Sequence, residues 1–416
     1  MKLSRFGESF GADAGIVQLM DDLDQAVVTN RDMLMLGGGN PGRIPELEQR
    51  FASQMQAMLD DGESFQQLIG EYGSPQGHLG FIGALARLLN EHLGWDVSAQ
   101  NIALTNGSQS ASFMLFNLFA GTNQDGHSRR IALPLTPEYI GYADQGAEPD
   151  LFLSARPQIE LIGDQQFKYR VDFDAMVIDE TIGALCVSRP TNPTGNVLTD
   201  KEIHTLKSIA STHDIPLIID NAYGLPFPGI VFSDATPIWD ENTIVCMSLS
   251  KLGLPGVRTG IVIAAAPVVR ALTGMNAIMN LSTGGFGPRL VLDLVQSGEI
   301  LELSRSLVRP FYERKCLAAL EDLNARLAGY PYRAHKPEGA IFLWLWFSGL
   351  PITAHQLYER LKARGVLIIP GHHFFPGLQQ DWRHRHECIR VNYAGDTEKV
   401  HAGLAIIADE VRKAYG

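Results

Sequence analysis

The segments PLIID (216–220) and TIVCMS (243–248) are apolar along almost their whole length instead of at alternate positions. A strand of that kind has both faces out of water, as in a mostly parallel sheet with helices packed on each side. Short apolar runs of this type recur at 102–105, 131–135, 151–154, 184–188, 216–220, 243–248 and 260–264. Longer amphipathic stretches alternate with them, and 109–119, 200–213 and 288–295 read as helices. The expectation is an α/β fold whose large domain, residues 49–300, carries a mostly parallel seven-stranded sheet. On such a sheet chemistry collects at the carboxyl ends of the strands.

Beyond residue 300 the pattern changes. A long helix at about 301–327 is followed by a strand AIFLWLWF, a helix AHQLYERLKARG, the strands VLIIP and CIRVNYA, and a terminal helix. This reads as a smaller α+β domain over 301–416. Residues 1–48 are expected to contribute to it with an amphipathic helix, GIVQLMDDLDQAV, and a GGGNPG turn.

At 416 residues the chain exceeds one ordinary core. Its 34 Lys and Arg against 46 Asp and Glu give a net charge of −12, which repels a nucleic-acid backbone. The four cysteines are scattered without metal or disulfide spacing, as in a cytoplasmic protein. No run approaches the roughly 20 apolar residues of a membrane span. Neither nucleic acid nor membrane is expected as a partner. His372, His373 and RHRHE (383–387) lack the spaced carboxylate or cysteine that would complete a metal site, so no metal is expected.

Four segments carry chemistry. SLSKLGLPGVRTG (248–260) follows an apolar strand and sets Lys251 among Ser248, Ser250 and Arg258. A lysine near positive groups or partly desolvated loses its proton readily, and the hydroxyls and arginine suit an anionic phosphate. In LIIDNAYG (217–224) the carboxylate of Asp220 ends a buried strand, where a cationic partner would offset its burial; capping of a following helix is the plain alternative. SRPTNPTGN (188–196) is a turn fixed by two prolines and a glycine. LTNGSQSA (104–111) runs from strand to helix and offers N–H groups and a helix dipole to a phosphate.

In type, order and spacing these four segments resemble the fold type I, class I/II aminotransferases, across nearly the whole chain. The resemblance implies pyridoxal 5'-phosphate (PLP) as cofactor, with Lys251 as its Schiff-base lysine and proton carrier. It implies Asp220 at the ring nitrogen, Asn192 and Tyr223 at the phenolic oxygen, and Tyr139 stacked on the ring. Gly107, Ser108, Gln109, Ser248 and Arg258 would hold the phosphate, although Arg258 lies seven residues after Lys251 where the family has eight. Tyr72 matches a tyrosine that reaches the phosphate from the neighbouring subunit, which implies a homodimer with shared active sites. Arg390 would pair with the substrate carboxylate, with Gly39, Asn192 and Phe374 as further substrate contacts.

LGGGNP, PLTPEYIGYAD, HKPEGAIFLWLWF and LIIPGHHFFPG further resemble one branch of that family, and this likeness implies valine or a similar aliphatic amino acid and pyruvate as substrates. They would exchange the amine by a ping-pong route that yields a 2-oxo acid and alanine. Lyase or synthase chemistry on the same fold is the nearest rival, because it uses the same lysine, aspartate and arginine. A nucleotide-binding α/β protein lacks its GxGxxG or P-loop here.

Overall fold

The computed structural model describes residues 2–9, 22 and 32–416. The helix expected at GIVQLMDDLDQAV lies, apart from Asp22, outside the described residues. The larger sheet has eight strands. Thr243–Ser248, Leu217–Asp220, Ile182–Ser188 and Ser128–Leu133 run parallel in that spatial order, and Phe152–Ser154 pairs parallel with the last. Gly260–Ile263 is antiparallel to both its neighbours, Thr243–Ser248 and Ile102–Thr105. All seven expected runs are in this sheet. The eighth strand, Gly121–Thr122, is too short to leave a periodic signal.

The absence of alternation has a direct cause in the packing. Leu185, Val187, Leu217 and Ile219 face one side and share a core with Ile203, Leu206 and Ala210 of the helix Asp200–Thr212. Their neighbours Ala184, Cys186, Ile218 and Cys246 face the other side, among Ala111 and Leu115 of the helix Ser108–Phe119 and Leu272 of Ala266–Asn280. Both faces are therefore dry, and full burial of each larger aliphatic side chain contributes about 1.5–3 kcal/mol. Thr199 starts the Asp200–Thr212 helix with a reciprocal cap, exchanging hydrogen bonds with Glu202.

A second sheet has the order Ile369–Pro370, Cys388–Asn392, Phe342–Phe347, Tyr332–His335, Gln166–Arg170, Gln158–Ile162. Three expected elements are divided. VLIIP splits into Val366–Leu367, which pairs parallel with Leu34–Met35, and Ile369–Pro370, which joins the second sheet. The 301–327 helix is interrupted by a π turn, Ser304–Val308, just before Pro310, which has no N–H to donate. The 288–295 helix breaks at Val291 into Phe286–Leu290 and Leu292–Gln296. Trp344 is fully buried and donates to Tyr169 Oη, while its strand neighbour Trp346 is half-buried and donates to Glu387.

Lys168 ties the two sheets together. Its Nζ is ion-paired with buried Glu338 and donates to Asn196 Oδ1 at 2.9 Å and Val197 O at 3.0 Å, which fixes the end of the SRPTNPTGN loop. Among the described residues no helix is long and apolar enough to cross a membrane.

Candidate active site

The carboxyl ends of the parallel strands converge. In the sheet register Ser188 lies beside Asp220, and Asp220 beside Cys246. Above them opens a cavity of about 220 Å³ that Lys251, Asp220, Asn192, Tyr223, Tyr139 and Arg390 all line. Gly39, Ser108, Gln109 and Arg258 also border it, together with Gly37, Gly38, Ile140, Ser188, Pro190, Ala222 and Ser250.

Lys251 sits in a short 3-10 turn, Ser250–Leu252, directly after the strand Thr243–Ser248. Its Nζ donates to Gly39 O at 2.7 Å and lies 5.2 Å from the centre of the Tyr223 ring. Burial, and then the charges of Arg390 and Arg258, lower its pKa to about 8, against the opposing pull of Asp220. As the pH rises through that value the amine loses its proton and becomes nucleophilic. Asp220 accepts hydrogen bonds from Tyr142 Oη at 2.7 Å and from Ala222 N at 3.1 Å. Burial raises its pKa, as for an enclosed carboxylate without a full cationic partner.

Arg390 is buried on the strand Cys388–Asn392. It donates to Asn192 Oδ1 at 2.7 Å and to Gly37 O at 2.6 Å, and its guanidinium lies 4.2 Å from the Phe342 ring centre and 5.1 Å from that of Phe374. Its Nε has no hydrogen-bond partner, and among the described residues no carboxylate pairs with it. Burial lowers its pKa to about 10. A buried guanidinium without an anion is built to receive one.

A second group of polar side chains lies at the start of the helix Ser108–Phe119. Gly107 precedes it with φ +92°, and a Cβ there would run into the guanidinium of Arg258. Arg258, itself left-handed at φ +48°, donates to Ser250 Oγ at 3.4 Å. Helix N–H groups, two serines and an arginine thus face one end of the cavity. The seven-residue interval does not keep Arg258 away from it. Tyr139 folds its ring over Gly141, whose missing side chain makes room, and Gln109 donates to Gly141 O from below at 3.3 Å.

Residues 152–407 match the class I and II aminotransferase family. The chain is also 52% identical over 415 residues to valine–pyruvate aminotransferase of Escherichia coli (strain K12), covering 100% of this chain and 99% of that protein. The chain belongs to the class I and II aminotransferase family. A crystal structure of valine-pyruvate aminotransferase from Salmonella typhimurium LT2 superposes with a TM-score of 0.89 at 50% identity, covering 96% of this chain and 99% of the other. Thermus thermophilus aspartate aminotransferase in complex with maleate, at 21% identity and a TM-score of 0.79 over 99% of this chain and 100% of that one, shares the fold.

Not every residue expected in this aminotransferase site lines the cavity. Ser248 is buried, accepts from Ser250 N at 3.1 Å and lies 3.5 Å from Thr259 O, so Ser250 is the hydroxyl that faces the cavity. Phe374, expected as a substrate contact, is 0% exposed, edge-on to Trp344 and near the guanidinium of Arg390, and does not border the cavity. Gly107 lies beneath Arg258 and does not border the cavity. Tyr72 is 84% exposed and outside the cavity of its own chain. Two residues went unforeseen: Tyr142, bonded to Asp220, and Asn392, whose amide donates to Gly38 O at 2.7 Å and to Asn40 O at 3.3 Å. Tyr142 stands three residues after Tyr139 in the same motif, and Asn392 two after Arg390 on the same strand face. That spacing was the available signal.

Proposed function

We propose that this aminotransferase holds PLP in the cavity and exchanges the amino group of valine, or a similar aliphatic amino acid, with pyruvate. The observation that carries the substrate is the full-length likeness to the valine–pyruvate enzyme. The residues present fit the cofactor: an enclosed amine at Lys251, an enclosed carboxylate at Asp220 and an anion cradle at Ser108, Gln109, Ser250 and Arg258. When bound, PLP supplies an electron-withdrawing ring that stabilises negative charge at the substrate Cα. Asp220 would hold the proton on the ring nitrogen. Tyr139 would lie beside the ring, and Tyr223 with the amide N–H of Asn192 would hydrogen-bond the phenolic oxygen. Lys251 Nζ moves the proton at Cα. Arg390 binds the α-carboxylate through a planar fork that lysine cannot reproduce.

Arg390→Ala is expected to reduce kcat/KM by about 2–5 kcal/mol, chiefly through KM, since the interaction exists before the chemical step. Steady-state kinetics with valine and pyruvate read the split. A loss confined to kcat would reject the assignment.

Among the described residues the only arginines that line the cavity are Arg390 and Arg258, and Arg258 belongs to the anion cradle. Arg43 is exposed and paired with Glu48, and Arg289 bonds Ser64 and approaches His78. Valine and alanine should therefore exceed aspartate and glutamate, whose extra carboxylate would go unpaired. Neighbouring aliphatic donors should differ by only about 1–3 kcal/mol per methylene. A panel of kcat/KM values checks this, and a clear preference for an acidic donor would reject the substrate while leaving transamination intact.

A homodimer is part of the same reading. Ile69, Tyr72 and Leu79 are exposed, as are Ile278 and Leu281, and the segments that carry them meet where Asn276 donates to Pro75 O at 3.0 Å. A second copy would cover these side chains and bring its tyrosine to the phosphate. Sedimentation equilibrium giving a single-chain mass would reject it.

A further inference from the structure

Glu138 is 0% exposed and does not border the cavity, yet a chain of hydroxyls connects it to Asp220. Its Oε1 accepts from Ser188 N at 2.8 Å, and its Oε2 lies 2.5 Å from Ser188 Oγ. Ser188 Oγ lies 3.4 Å from Tyr142 Oη, which donates to Asp220 Oδ2 at 2.7 Å. Among the described residues no lysine, arginine or histidine pairs with Glu138.

The contact between Ser188 and Tyr142 favours one distribution of protons along this chain. Serine and tyrosine have one hydroxyl proton each. If Tyr142 gives its proton to Asp220 and Ser188 gives its own to an ionised Glu138, the Ser188–Tyr142 contact is left with no proton between two oxygens. One further proton, on Glu138, completes the series: Glu138 donates to Ser188, Ser188 to Tyr142, and Tyr142 to Asp220. An enclosed pair of carboxyls with no cation of its own favours the same count, because one of the two neutralises.

We propose that Glu138 is a neutral carboxylic acid in the folded protein and a positioning residue for Asp220, which it backs through Ser188 and Tyr142. Asp220 is then the ionised member of the pair, with its charge turned to the cavity. Burial, the largest influence, pushes the Glu138 pKa up to about 8, with Ser188 opposing it and Asp220 adding to it. The other titratable groups facing the pair are Cys186, which senses both carboxyls, Cys246, Tyr139 and Tyr223, which sense Asp220, and Lys251, whose charge acts on Asp220. That Asp220 faces a ring nitrogen rests on the proposed function; the protonation of Glu138 does not.

The test is an infrared difference spectrum of the full chain without cofactor, wild type minus Glu138→Gln, at neutral pH. The expected result is loss of one carbonyl stretch of a neutral carboxylic acid. Loss of carboxylate bands alone would overturn the proposal. In the wild type the same band should fade as the pH rises through about 8, which keeps the test available if the variant does not fold. PLP titrations followed by absorbance read the relay separately. Ser188→Ala, which interrupts it, should weaken PLP binding about tenfold and shift the pH profile of the absorption, as expected for a lost buried hydrogen bond. Glu138→Gln keeps a neutral donor and should stay near the wild-type profile. A Gln variant shifted as far as Ser188→Ala would contradict a neutral Glu138. If the chain bound no PLP, the infrared result would still stand alone.

Discussion

Lys251→Ala should lower turnover by about 10,000-fold, the upper end of what one positioned acid–base group contributes. The amine is the only lysine lining the cavity among the described residues, and its Nζ lies against Gly39 and Tyr223, so no neighbour can take over the proton transfer. Wild-type protein purified with PLP should be yellow and should lose that colour to borohydride; the variant should hold PLP only as the free aldehyde. Steady-state assays and a visible spectrum check both parts. A variant with ordinary turnover would remove Lys251 from the mechanism.

Asp220→Ala should lower kcat by about 100- to 1000-fold, or about 3–4 kcal/mol, because a charge placed to hold the ring proton matters most as negative charge develops at Cα. Cofactor retention should suffer much less, since Ser108, Gln109, Ser250 and Arg258 are untouched. A PLP analogue with a permanently positive ring nitrogen should restore part of the rate. If it restores none while binding normally, Asp220 does not act through that nitrogen.

Much of the site was legible because strand ends are legible. Asp220 ends an apolar run, Lys251 and Asn192 follow one by a few residues, and a parallel sheet carries such positions to one edge. Side-chain direction was not legible. Ser248 and Ser250 have the same residue type two positions apart, and only the turn at Ser250–Leu252 decides that Ser250 faces the cavity. Phe374 follows a turn that could aim it either way, and Trp344 together with Arg390 draws it into the core.

In the fold, the hairpin Gln158–Ile162 with Gln166–Arg170 lies in sequence among strands of the larger sheet but extends the second one, through Gln166–Arg170 pairing with Tyr332–His335. Partners more than 160 residues apart leave no mark in local periodicity. Glu138 was invisible for a related reason. One acidic residue in a turn reads as solvated until Ser188 and Tyr142 are seen to close around it.

PLP-dependent transamination between an aliphatic donor and pyruvate is the reaction proposed for this site. Its most direct test is product analysis after purified protein is mixed with PLP, valine and pyruvate. Alanine and 3-methyl-2-oxobutanoate appearing in equal amounts, with no ammonia released, is the predicted result. Ammonia without alanine, or no conversion of either substrate, would contradict it.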